Sequence, residues 1–355
     1  MENKNKISGL DAATVFAVGI ILVAQGISLI TKNSPVLQIA AFLNFLGPEI
    51  LIVWFGFVFG RQFLDLFLKN DFNLKSAATF ILHWMAIMLP LYFFTLFLNC
   101  IITGLLGPEF EDRWKFFALL QNFATPMPDF FPESWIVPVI LFAAAVLSVL
   151  MALLHRIGRP LNKSKQFVTV VMALILLAFG IRWIFSESLE NTNLNFWHKA
   201  IRSVVVYRFD SFFIGALCSW VVYESQALSK FKGLFACLGM AGLSFFFAGV
   251  GFFHLTIESH QFFWNVLYLP LLSVAVTLLF PIFIQNKSKT ITGTSGIAYA
   301  AYLLHFGVIL ELIRNLPFSG VAMFILYMLI ASGAAFFSWF VIQKVIIGYL
   351  FRRFE

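Results

Sequence analysis

Apolar residues along this chain come in long blocks, and polar residues gather in the short stretches between them. Ten blocks, at about 14–31, 43–60, 77–103, 136–154, 166–185, 204–223, 233–253, 263–284, 297–313 and 321–347, are long enough, some with flanking residues, to cross roughly 30 Å of hydrocarbon at about 1.5 Å per residue. The first block is longer than the apolar core of a usual signal peptide. Ala24-Gln25-Gly26 is a weak cleavage site, so the block reads as a retained first helix. No connection has room for a soluble domain. The longest, about 104–135, holds Pro108, Pro126, Pro128 and Pro132 and the acids Glu109, Glu111, Asp112, Asp129 and Glu133. Its apolar piece Phe116-Phe117-Ala118-Leu119-Leu120 predicts an interfacial or re-entrant segment in an outer loop. The predicted architecture is all-α: one integral membrane domain over 1–355, about ten transmembrane helices and short tails.

Composition narrows the class. The chain is 61% apolar and only 12% charged, with a mean hydropathy of +0.90. A soluble domain is about half apolar and a quarter charged, so a soluble enzyme, a disordered chain and a fibrous repeat are excluded. The net charge of +7 would suggest nucleic acid in a soluble protein. In a bilayer it reflects the excess of Lys and Arg in cytoplasmic loops, and no nucleic-acid partner is expected. With the N-terminus inside, sixteen Lys and Arg fall on the cytoplasmic side, among them Arg61, Lys69, Lys75, Arg156, Arg159, Lys163 and Lys165, against seven outside. Ten crossings then return both termini to the cytoplasm. Cys100, Cys218 and Cys237 lie in apolar stretches without a CxxC pair and read as small core residues, so neither disulfide nor metal site is predicted.

Ionisable groups inside spans cost a few kcal/mol each, which makes each a candidate for function. The candidates are Glu49, His83, Arg208, Asp210, His305 and Glu311, with the neutral Gln25 and Asn99. The bland alternative is that they pair with one another or reach the headgroups. Arg208 and Asp210 are two apart, do not face each other on a helix, and are expected to find partners elsewhere. His305 leads as a proton-transfer group, because an imidazole titrates near neutral pH. The spacing Gly56 to Gly60 is a GxxxG, read as close helix packing. Phosphate-loop, zinc-helix and nucleophile-elbow motifs are absent from the sequence.

Several stretches resemble the acyltransferase-3 family of integral membrane acyltransferases. Tyr207-Arg208-Phe209-Asp210-Ser211-Phe212-Phe213-Ile214-Gly215-Ala216-Leu217 resembles that family's Arg-x-Asp-x4-Gly-Ala-Leu segment. Ile297-Ala298-Tyr299-Ala300-Ala301-Tyr302-Leu303-Leu304-His305 resembles its Ile-Ser-Tyr-x2-Tyr-Leu-x-His segment, with Ala298 in place of Ser. Phe55-Gly56-Phe57 and Pro90-Leu91-Tyr92 stand where the family has Ser-Gly-Phe and Pro-x-Tyr. The resemblance implies a ten-span bundle, acetyl-CoA as acyl donor, a hydroxyl of an envelope glycan or lipid as acceptor, no bound cofactor, and a bacterial inner membrane location.

The chain also departs from that pattern. The first helix of the family carries an Arg, ten residues and a His; after Leu10-Asp11 those places fall here on Thr14 and Gln25. Eleven helical steps put the two on one face about 16 Å apart, and the resemblance implies that one faces the donor and the other the acceptor. Thr14 brings no charge, and Gln25 takes no proton at neutral pH. Ile140 stands at the family's Glu, and Trp84 and Ile87 stand at two Arg places before Pro90. Two readings follow. One is a divergent acyltransferase with His305 as base, Arg208 meeting an anionic group, and Glu49, His83 and Asp210 as further cavity candidates. The other is a non-catalytic relative that binds or exports a glycan or lipid, or partners an active enzyme. An unrelated transporter ranks below both, since matching broken half-helices are not evident.

Overall fold

A computed structural model describes residues 8–31, 34–69, 72–106, 112–157, 162–189, 192–224, 230–284, 294–314 and 316–347. They form an all-α bundle, as the apolar blocks predict. Among them nine helices are long and apolar enough to cross a membrane, and one apolar helix is shorter. The elements used below are α1 (Ser8–Ile30), α2 (Ser34–Lys69), α3 (Leu74–Leu106), the short α4 (Arg113–Phe117), α5 (Ile136–Ile157), α6 (Lys163–Glu187), the single turn α7 (Leu194–Trp197), α8 (Phe209–Tyr223), α9 (Lys232–Ser244), α10 (Tyr268–Ile284), α11 (Ser295–Leu304) and α12 (Gly320–Ser338).

Helix α2 is the axis of the bundle. Its 36 residues reach about 54 Å, and it packs against α1, α5, α6, α8 and α10. Glu49 through Trp54 are buried on every side, the pattern of a helix surrounded by protein rather than lipid. Outer helices keep an exposed apolar face, with Leu176, Leu177 and Ile184 on α6 and Val321, Ile325 and Leu329 on α12. Such faces suit a hydrocarbon environment.

The α2–α8 seam depends on glycine. A Cβ on Gly56 would lie 2.0 Å from the carbonyl oxygen of Phe212, and one on Gly215 would lie 1.9 Å from that of Val53. Gly60 faces Ala216 and Ser219 one turn further on. The GxxxG spacing therefore sets backbone approach, as in other tight helix pairs.

The sixth predicted span is the one the structure revises. A helix over 204–223 does not form. Residues 205–207 make a 3₁₀ turn, Arg208 precedes the helix with φ −120° and ψ 4°, and α8 begins at Phe209. At 15 residues α8 covers about 22 Å, less than the apolar thickness of a bilayer. The 104–135 connection completes it from outside. Val205 and Val206 donate their N–H groups to the carbonyls of Asn122 and Phe123. The Asn122 side chain donates to the carbonyls of Ser203 and Trp135. Phe116 in α4 is buried while Trp114 and Phe117 are exposed, so α4 turns one ring inward and two outward.

Pro48 in α2, Pro90 in α3 and Pro281 in α10 lie past the first turn of their helices. Each removes an N–H and leaves the carbonyl four residues earlier without its helical donor. Arg202 donates to the carbonyl of Asn44 at 2.8 Å, four before Pro48. The Cys218 thiol lies 3.8 Å from the carbonyl of Thr277, four before Pro281. In the turn before Pro90, Gln343 and Tyr299 donate to the carbonyls of Ile87 and Met88.

Gly215→Ala is expected to destabilise the purified protein by about 1–3 kcal/mol, because the new methyl meets backbone rather than a flexible side chain. Gly180→Ala, whose Cβ would meet nothing within 4 Å, is expected to be neutral or slightly stabilising. Thermal unfolding in one detergent compares the two, and equal midpoints would refute the seam.

Candidate functional site

The polar residues of the bundle fall into a cavity, a buried charge layer behind it, and a second cavity toward the other end of α1. The first cavity, about 530 Å³, lies between the C-terminal half of α1, the N-terminal half of α2, the start of α5, and α7 with the turns that follow it and α11. Its polar lining includes Gln25, Glu133, His198, Arg202, Tyr302 and His305, with Asn44 and Asn195, and its apolar walls include Ile21, Phe45, Pro48 and Trp135.

His305 opens a π-helical turn over His305–Leu310 and is buried. Its Nδ1 lies 2.6 Å from the carbonyl of Tyr302. A carbonyl only accepts, so Nδ1 carries the proton and Nε2 is the basic nitrogen of the neutral ring. Glu133 enters from the 3₁₀ turn Pro132–Trp135 that starts α5. Its Oε1 accepts from the N–H of Gly307 at 2.7 Å, and its own carbonyl accepts from Tyr302 Oη at 2.6 Å. A side chain at 307 would collide with Asn99 and Glu133, since a Cβ there lies 2.3 Å from Asn99 Oδ1. Buried Asn99 thus borders the Glu133 side of the site.

Arg202 ends a π-helical turn over His198–Arg202. Trp197 anchors that turn by donating to the carbonyl of Trp264 at 2.9 Å and standing edge-on to Trp264 and Tyr268. The guanidinium lies 4.8 Å from the Phe45 ring centroid and 5.3 Å from that of Trp135. It donates to His198 Nδ1 at 2.8 Å and to the Asn44 carbonyl. Burial, and then the nearby charge of Arg208, bring Arg202 down to about 10, so it remains a cation at neutral pH. Burial and the adjacent Arg202 and Lys199 charges push the His198 imidazole down to about 3, which leaves its Nδ1 free to accept.

Behind Trp135 lies the charge layer. Arg208 pairs with Glu49, whose other oxygen accepts from Ser273. Ser273 Oγ in turn accepts from the Ser211 hydroxyl at 2.9 Å. Asp210 pairs with Arg182 at 2.8 Å. Arg208 and Asp210 therefore turn to α2 and α6. They tie α8 to the bundle and do not line the cavity.

The remaining candidates scatter. Thr14 is buried on a second cavity of about 350 Å³, with Gln62, Tyr299 and Gln343 as polar company. It lies about 16 Å along α1 from Gln25. His83 is exposed on α3 and lines neither cavity. Glu311 pairs with Arg314 one turn away at 3.1 Å. Among the predicted residues only Gln25 and His305 meet in the first cavity. Glu133, His198 and Arg202 were missed as site residues. Glu133 was placed in the outer loop, although Pro132-Glu133 ahead of an apolar run is a helix-start signal. Arg202 carries no sequence signal, since what places it is the carbonyl that Pro48 frees on another helix.

No protein-family model, no curated protein and no solved structure matches this chain.

Two outcomes follow. Glu49→Gln should destabilise the protein by about 3–5 kcal/mol, because Arg208 is left as a buried charge without a partner. Glu49→Leu with Arg208→Leu should cost less than the single change, which a double-mutant cycle of denaturation midpoints reads directly. His198 binds its proton more readily unfolded than folded. Stability should therefore fall as pH drops from about 6.5 toward 3, and His198→Gln should flatten that slope in pH-dependent unfolding.

Proposed function

We propose that this chain is an acyl-transfer protein of the bacterial inner membrane, with both termini cytoplasmic, that moves an acetyl group from acetyl-CoA to a hydroxyl of an envelope glycan or lipid. The observation that supports it is His305: an imidazole in the wall of a 530 Å³ cavity, with Nδ1 held on the Tyr302 carbonyl and Nε2 as the basic nitrogen. Nε2 takes the proton of the acceptor hydroxyl while its oxygen attacks the thioester carbonyl. The C–S bond then breaks, and the thiolate of CoA takes up a proton as it leaves. The donor approaches on the Thr14 side of α1 and the acceptor occupies the Gln25 side, as the acyltransferase-3 resemblance implies. Tyr302 and Glu133 are positioning groups, since they fix the ring and the turn that carries it.

A second reading is favoured by one observation. Among the described residues, the cavity of Thr14 is lined by no Lys, Arg or His, so it offers the phosphates of CoA no cation. A non-catalytic relative that binds or exports a glycan or lipid, or partners an active enzyme, meets that arrangement without further groups.

Release of CoA thiol from acetyl-CoA by the purified protein, with envelope extract as acceptor, separates the two. Turnover that falls about 10²–10⁴-fold in a folded His305→Ala variant supports the acyltransferase, that being the usual contribution of a general base. No release and no binding of acetyl-CoA overturns it and leaves the non-catalytic reading.

A further inference from the structure

Arg182, Arg202 and Arg208 are all buried. Arg182 and Arg208 have carboxylate partners. Arg202 has none among the described residues: it donates to an imidazole and to backbone carbonyls. A guanidinium has five N–H donors; these bonds use at most three of them, and Arg202 lines the cavity. The acid of that cavity, Glu133, makes no ion pair with Arg202 and is held by the N–H of Gly307. The acid nearest to Arg202 in the charge layer, Glu49, is already taken by Arg208 and Ser273. A buried charge without a counter-ion is costly, and a guanidinium with spare N–H donors lining a cavity suits an anion. The apolar part of the lining includes buried Ile21, Pro48 and Trp135, half-buried Phe45, and exposed Ala41 and Leu194. All of this lies among helices apolar enough for a bilayer.

We propose that Arg202 is an anion-binding group and that the occupant of this cavity is an amphipathic lipid carrying a phosphate headgroup, its apolar part against Phe45 and Leu194. Trp135 lies beside the guanidinium and reports the binding. The assignment deepens the reading of the cavity as the acceptor chamber and rests on it for the hydroxyl; the anion site itself is read from binding alone, without acetyl-CoA.

The test is tryptophan fluorescence of the full chain in detergent at fixed ionic strength, titrated with dihexanoyl phosphatidylglycerol, with neutral dioctanoylglycerol, and with inorganic phosphate. The phospholipid should bind at least about tenfold more tightly than the neutral lipid, and inorganic phosphate should compete weakly. Arg202→Gln should remove the preference, and Arg202→Lys, a cation without the fork, should keep part of it. Equal binding of the two lipids, or a preference that survives Arg202→Gln, overturns the proposal. So does Arg202-dependent binding of inorganic phosphate without binding of the phospholipid, which marks a site for a soluble anion. Arg202 also caps the Asn44 carbonyl, so if Arg202→Gln fails to fold, the headgroup preference of the unmodified protein decides by itself. Arg202-dependent lipid binding without acetyl-CoA turnover overturns the acyltransferase reading and leaves this one standing.

Discussion

Pro48 removes one N–H from the middle of α2, and the carbonyl of Asn44 loses its helical donor. An unsatisfied backbone group in hydrocarbon costs several kcal/mol, so protein must supply the missing donor. Arg202 does so across 158 residues of sequence. That contact fixes the π-helical turn His198–Arg202 against α2, and with it one wall of the larger cavity. The thiol of Cys218 near the Thr277 carbonyl repeats the solution at Pro281. At both prolines one helix is completed by another.

The buried ions obey the same constraint. Glu49 on α2 and Asp210 on α8 meet arginines from other elements, and Ser273 of α10 takes up a remaining carboxylate oxygen of Glu49. Such pairs contribute little net stability compared with well-packed apolar replacements, yet removing one partner is severe. Their consequence is geometric. They hold the short α8 in register with α2, the same register in which Gly56 and Gly215 allow the backbones to touch. Arg202 stands apart from this neutralised layer, with Trp135 between it and Arg208.

Most of the bundle is legible in the sequence, because apolar blocks of 18 residues or more have few stable alternatives to a helix. The block at 204–223 misled for a definable reason. Hydropathy records what a segment tolerates around it, and Val204-Val205-Val206 is buried among protein as readily as in lipid. Its backbone is satisfied by Asn122 and Phe123 rather than by its own helix. The site was less legible. His305 and Gln25 were singled out as polar residues in apolar blocks and do meet. Arg202 lies in a connection, where charge is expected and carries no signal, and Glu133 is marked only by the helix-start pattern Pro132-Glu133.

The sequence by itself determined the class: block lengths and scarce charge leave helices with internally satisfied backbones as the viable form. It also determined that the ionisable residues inside those blocks would need partners. Only the tertiary structure decided which partners they found. It turned Arg208 and Asp210 to Glu49 and Arg182, left His83 on an exposed face, and set Thr14 and Gln25 on different cavities. The reason is that pairing depends on distances between helices, fixed by glycine contacts and proline-freed carbonyls far apart in the chain. No local pattern encodes which of three buried guanidinium groups is left without a carboxylate.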